Sequence, residues 1–167
     1  MKTTGLVFLV LMILALVGSA DKADAATASL LIPISEFTTD GGTYTSPGDF
    51  SKIFPGGYLL GGGTGPCFVA PVSIPGNATK INKVIVYLID DGFGEFNPYF
   101  ELTAVNMATA FFEDYVNAEV TDGTGTIQAI ELPLIKKVLI KGRVYQLATC
   151  LYGGQLLYGA KVVYTVP

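Results

Sequence analysis

The stretch that decides the fold class is Cys67–Asp91, CFVAPVSIPGNATKINKVIVYLIDD. It reads as two strands flanking a turn. Val69-Ala70-Pro71-Val72 leads into Ser73-Ile74-Pro75-Gly76-Asn77. Pro75 fixes φ, and Gly76 and Asn77 both tolerate positive φ, so the chain reverses there at low cost. From Ile81 to Ile89 the apolar pattern has period two, with Val84, Val86 and Leu88 on one face and Ile85, Tyr87 and Ile89 on the other. Neither face is polar. Such a strand is expected under cover on both sides, or with its outer face against a loop or a partner. Pro71 has no N–H to donate and marks the first strand as an edge or a bulge. The expectation is a β-hairpin built from this stretch.

Working outward, the same reading recurs. Ala26–Phe37 contains a strand interrupted at Pro33, and residues 38–49, TTDGGTYTSPGD, form a turn-rich loop. Phe50, Ile53 and Phe54 are candidates to plug one end of a sandwich. Tyr58-Leu59-Leu60 is a short strand before a glycine run. That run, GGGTG, lacks the Lys-Ser/Thr of a phosphate-binding loop, and no helical pattern follows it. Tyr99–Val105 alternates with Phe100, Leu102 and Ala104 inward. Ala108–Tyr115 permits a helical turn by spacing, and its neighbours favour a strand or a crossing loop. Asn117–Thr121 and Thr126–Leu132 flank Asp122-Gly123, the strongest local hairpin signal in the chain. Lys136–Lys141 and Val144–Leu151 read as strands around Gly142. Gly153-Gly154 turns the chain into a last strand expected to set Leu156, Tyr158, Ala160, Val162 and Tyr164 on one face. Eight or more short strands with turns between them, and no long helix after the N-terminal segment, define an all-β protein with a single antiparallel β-sandwich or barrel.

Several of these segments together resemble a family of secreted bacterial proteins. Their common central form is A-P-V-x-L-P-x-G-A-x-I-x-x-V-x-x-Y-x-x-D, to which APVSIPGNATKINKVIVYLIDD at Ala70–Asp91 is similar. LLIPISEF at Leu30–Phe37 looks like their opening strand, GGYLLGGG at Gly56–Gly63 like the glycine-rich strand that follows, and YGAKVVYTVP at Tyr158–Pro167 like their closing strand. This chain departs from the P-x-G-A pattern in having Gly76 and Asn77 where that form has a variable residue and Gly. The resemblance implies a secreted β-sandwich of jelly-roll-like topology, and it implies no activity.

The N-terminus has the form of a signal peptide, residues 1–25: a charged start at Lys2, an apolar run from Gly5 to Val17, and small-residue cleavage sites after Ala20 or Ala25. The run is shorter than the ~17–25 residues that span a bilayer, so no stable membrane span is expected after leader removal. Residues 26–167 are the size of one domain. The expected location is secreted, either extracellular or in the periplasm and cell envelope. In that setting the two cysteines, Cys67 and Cys150, favour one disulfide.

The chemistry available is narrow. There is no histidine, which removes His-based triads, His general bases, His metal ligands and Cys–His nucleophiles. Paired carboxylates stay open among Asp90, Asp91, Glu95, Glu101, Glu113, Asp114 and Glu119, although solvated carboxylates are the plainer reading. Asp90, Asp91 and Glu95 on a Gly-rich loop offer oxygen ligands suited to Ca²⁺, without the order of an EF-hand; an acidic turn capping backbone N–H groups is again the plainer reading. There is no tryptophan, so an aromatic platform for a sugar would have to be tyrosine, with Tyr44 and Tyr152 placed in loops. Net charge is −4 and the basic residues are scattered, densest from Lys136 to Arg143, which gives no stripe for nucleic acid. The apolar outer faces point to a homo-oligomer or an envelope or extracellular partner. The resulting expectation is a non-enzymatic structural or interaction module with no cofactor and no metal. The alternative is a polysaccharide- or ligand-binding module, calcium-assisted or not, and a carboxylate-dependent hydrolase comes last.

Overall fold

The computed structural model describes residues 25–39, 51–53, 58–60, 67–90, 96–121 and 125–167. The N-terminal leader up to residue 24, Tyr44, Phe54, the GGGTG run, Asp91, Glu95 and Asp122-Gly123 lie outside the described residues. The strands are β1 (Ala26–Pro33), β2 (Thr38–Thr39), β3 (Ser51–Ile53), β4 (Tyr58–Leu60), β5 (Cys67–Val72), β6 (Lys80–Ile89), β7 (Tyr99–Asn106), β8 (Phe111–Glu119), β9 (Gln128–Leu132), β10 (Val144–Cys150) and β11 (Leu156–Val166).

They form two antiparallel sheets. One runs β3-β4-β11-β6-β9, with β1 also paired to β11; the other runs β2-β5-β10-β7-β8. The last strand is the spine of the first sheet. One edge of β11 pairs with β6 from Leu156 to Thr165. The other edge is shared, with β4 against Leu156 and Leu157 and β1 against Gly159 to Val166. From β4 onward the chain visits the sheets in the order first, second, first, second, second, first, second, first. The arrangements β4-β11-β6-β9 and β5-β10-β7-β8 are those of a jelly roll, two Greek keys wrapped into one sandwich. The core lies between the sheets. Val84, Val86 and Leu88 of β6 meet Phe100, Leu102 and Ala104 of β7, with Phe68, Leu147, Leu157 and Val162, all fully or almost fully buried. Ile34 on the short 3-10 turn Ile34–Glu36, and Phe37 directly after it, carry the chain from β1 into the second sheet and close that side.

The expected faces of β6 and β7 are as observed, with Ile85, Tyr87 and Ile89 half-buried on the outside. Other expectations are corrected. The stretch 67–89 is not a hairpin: β5 pairs with β10 and β2, and β6 pairs with β11 and β9, so Pro75-Gly76-Asn77 lies on a crossing between sheets. The strands around Asp122-Gly123 are likewise in different sheets, β8 on β7 and β9 on β6. The hairpin between consecutive long strands is β7–β8, turning at Met107–Ala110 with no glycine. Asn106 Oδ1 accepts the Ala108 N–H at 3.0 Å, and Ala110 takes the left-handed conformation at φ 52°.

Lys136–Lys141 is not a strand. It makes one bridge, Lys80 to Val138, and its backbone is otherwise held by two tyrosines. The Tyr115 hydroxyl donates to the Val138 carbonyl at 2.7 Å. The Tyr145 hydroxyl accepts the Ile140 N–H at 2.8 Å, and the two rings meet edge to face at 5.4 Å. Finally, the faces of β11 switch. Leu157, Ala160, Val162 and Tyr164 are buried, while Leu156 and Tyr158 point the other way. A register shift between Leu157 and Gly159 inserts the extra residue, and Gly159 sits there at φ 147°. A bulge reverses a period-two pattern, which is why simple alternation from Leu156 fails.

Candidate functional site

The strand directions sort the connections between two ends of the sandwich. One end gathers the close of β6, the start of β7, the close of β8, the close of β10 and the start of β11. Its turns are tied to one another by backbone bonds. The Gly125 N–H donates to the Asp90 carbonyl at 2.9 Å, and the Val120 N–H to the Pro98 carbonyl at 2.9 Å.

The β10–β11 connection is a four-residue turn, Tyr152-Gly153-Gly154-Gln155. Gln155 N–H donates to Tyr152 O at 3.0 Å, and Gly154 has φ 86°, the positive value that a type II turn demands at its third position. Gln155 has no exposed surface. Its Oε1 accepts the Tyr152 N–H at 2.7 Å, and its Nε2 donates to the Phe96 carbonyl at 2.8 Å. One buried amide therefore locks two loops together, using both halves of its hydrogen-bonding capacity. The consequence lies on the surface. The rings of Phe96 and Tyr152 sit 5.0 Å apart, tilted by 35°, and Phe96 is 58% exposed.

The disulfide underlies the same end. Cys67 and Cys150 are bonded, directly opposite one another on β5 and β10. They are half-buried on the outer face of the second sheet, and Tyr99 and Glu119 continue the row across it. The bridge holds β10 two residues before Tyr152. On that face Tyr99 OH donates to Glu101 Oε2 at 3.4 Å. Burial, and then the neighbouring Asp114 carboxylate, push the Glu101 carboxyl above its usual range, and burial followed by Glu101 does the same to the Tyr99 hydroxyl.

The carboxylates singled out in the sequence are thus dispersed, with one exception. Glu101 and Asp114 lie near enough on the sheet face for the Asp114 carboxylate to raise the Glu101 carboxyl. Asp90 is buried where β6 ends. Glu113 is ion-paired to Lys136 at the opposite end, and Glu119 lies in the row with Tyr99. Among the described residues no group of three or more acidic or cysteine side chains is placed to hold a metal ion. Tyr152 lies in a loop as expected and is half-buried there. Its ring partner Phe96 and the amide that fixes both, Gln155, had no signal in the sequence beyond their place in loops.

The sequence matches no family model and no curated protein. Among solved structures, the chain is similar to the GH26-CBM35 β-(1,4)-mannanase of Podospora anserina at 12% identity and a TM-score of 0.39, covering 86% of this chain and 28% of that one. It is also similar to the family 32 CBM of NanJ from C. perfringens, solved with galactose, at 10% identity and a TM-score of 0.41, covering 81% of this chain and 99% of that one. Among the described residues no helix is long and apolar enough to cross a membrane.

Proposed function

We propose that the chain is a non-enzymatic binding module of the extracellular or cell-envelope space, and that it recognises a glycan at the loop end through Phe96 and Tyr152. The observation that carries this reading is the aromatic pair of exposed Phe96 and half-buried Tyr152, set by a fully buried Gln155. Rings in surface loops are ordinarily mobile. Holding two of them at a fixed tilt, at the cost of burying an amide, makes sense as a preformed surface for the C–H face of a sugar ring. The hydrogen-bonded Tyr99–Glu101 pair on the outer face of the second sheet supplies acceptors.

The test is retention of the secreted protein in gels cast with a panel of polysaccharides, with and without calcium. Phe96→Ala and Tyr152→Ala are each expected to weaken retention roughly 3- to 10-fold. No retention on any polysaccharide, or retention indifferent to both substitutions, would reject the reading.

A further inference from the structure

The opposite end of the sandwich has a different chemistry. It gathers the β7–β8 turn, the start of β10, the start of β6 and the segment 133–142. Six of the large apolar side chains that stand in solvent are here: Met107 at 74% exposure, Phe111 at 63%, Phe112 at 55%, Ile135 at 62%, Val138 at 70% and Val144 at 50%. Met107, Phe111 and Phe112 belong to the β7–β8 hairpin, and Ile135 and Val138 to the 133–142 segment. Phe112 is opposite Val105, which is opposite Val144. Ile135 N–H donates to the Tyr115 carbonyl at 2.9 Å, which seats the 133–142 segment beside β8. Five of the chain's ten basic residues ring this patch: Lys80, Lys136, Lys137, Lys141 and Arg143. The first four are exposed, and Lys136 is ion-paired to Glu113. The whole protein has a net charge of −4, so this basic end is set against the sign of the molecule.

We propose that this end docks on an anionic lipid surface. Protruding apolar side chains ringed by lysines fit the membrane interface: rings and aliphatic groups enter the headgroup boundary while the ammonium groups meet lipid phosphates. The patch also sits on a rigid base. Tyr115 and Tyr145 clamp the lysine-bearing segment through its backbone, so the charges are held in place around the apolar tip. Docked this way, the molecule points its loop end, with Phe96 and Tyr152, away from the bilayer.

Protein secreted through its own leader, with removal of the apolar run checked by intact mass, is floated with vesicles of phosphatidylcholine alone or with 30% phosphatidylglycerol. Binding is expected to the anionic vesicles, at least tenfold above the neutral ones, and to fall as salt rises. K137E/K141E should lower it roughly 25-fold or more, taking about fivefold for each basic side chain at an anionic surface. F111S/F112S should lower it about tenfold, and both pairs are exposed, so their melting temperatures report that the fold is kept. F96A/Y152A, at the other end, should leave flotation unchanged, which separates this proposal from the glycan reading. The proposal is overturned if neither vesicle binds, if neither pair of substitutions weakens binding, or if light scattering shows the patch consumed in a dimer that F111S/F112S dissociates.

Discussion

Replacing Gln155 with leucine tests whether one buried amide organises the loop end. The substitution keeps most of the volume, so it isolates the two hydrogen bonds from a cavity effect. The Tyr152 N–H, bonded at 2.7 Å in a turn whose Gln155 is fully buried, loses its acceptor. A buried donor left without one costs about 1–3 kcal/mol. The Phe96 carbonyl loses its donor, but Phe96 is largely exposed and water can replace it, so only the net bond of about 0.5–1.5 kcal/mol is at stake. The added apolar surface of leucine offsets part of this. The expected loss is about 2 kcal/mol, seen as a fall of roughly 6–8 °C in melting temperature for a domain of this size. The local signature is sharper: hydrogen exchange at the Tyr152 amide should accelerate more than at core amides such as those of Val86 or Leu102. Polysaccharide retention should drop with it, although Gln155 itself is out of reach of any ligand. A Gln155→Leu protein within 0.5 kcal/mol of the parent, with the Tyr152 amide still protected, would refute the idea that this side chain sets the site.

Gly159→Ala meets two obstacles at once: φ at 147° and a Cβ only 2.9 Å from the Ile32 carbonyl oxygen, both on backbone that cannot step aside. A loss of about 2–3 kcal/mol in urea denaturation is expected, and a neutral result would mean that the β11 bulge relaxes. Reducing the disulfide releases cysteines 83 residues apart, which in the chain-entropy model removes about 4.5 kcal/mol; calorimetry with and without reductant measures it. Tyr115 is held above its ordinary value first by burial and then by the Tyr145 hydroxyl. The fold therefore favours its neutral form, and its contribution is intact below about pH 10, where the unfolded chain's tyrosine begins to ionise. Stability should then fall as pH rises towards the folded-state value. Tyr115→Phe should flatten that alkaline slope, at about 1 kcal/mol lost at neutral pH with the bond to Val138, read from melting curves between pH 8 and 11.

Strand identity was legible in the sequence because it is written in side-chain alternation, and alternation is local. Val84-Val86-Leu88 and Phe100-Leu102-Ala104 are buried as their spacing implies. Partnership between strands is not local. Pro75-Gly76-Asn77 does reverse the chain, but a reversal between sheets uses the same residues as a reversal within one. What separates the two cases is reach. Neighbouring strands lie about 4.8 Å apart and facing sheets about 10 Å apart, so a crossing needs a longer connector. The link from β5 to β6 spans residues 73–79, whereas the true β7–β8 hairpin closes over Met107–Ala110. That hairpin carries no glycine signal in the sequence, because Asn106 and an alanine in the left-handed region do the work expected of glycine.

The two ends of the molecule were hidden for a related reason. Phe96 and Gln155 are 59 residues apart in sequence, and Phe112 and Val144 lie on strands joined only through β7. Each is unremarkable where it stands in the chain. Antiparallel pairing is what collects them. A jelly roll sends every connection to one of two poles, so loops distant in sequence become neighbours in space. Among the described residues the two poles differ in kind, an aromatic pair at one, apolar and basic side chains at the other. Basic residues dispersed along the sequence are brought to one pole by the fold. If flotation and polysaccharide retention respond to separate sets of substitutions, the poles are independent sites. If either set of substitutions impairs both, the aromatic pair and the lysines belong to one coupled surface, and the division drawn from strand direction is wrong.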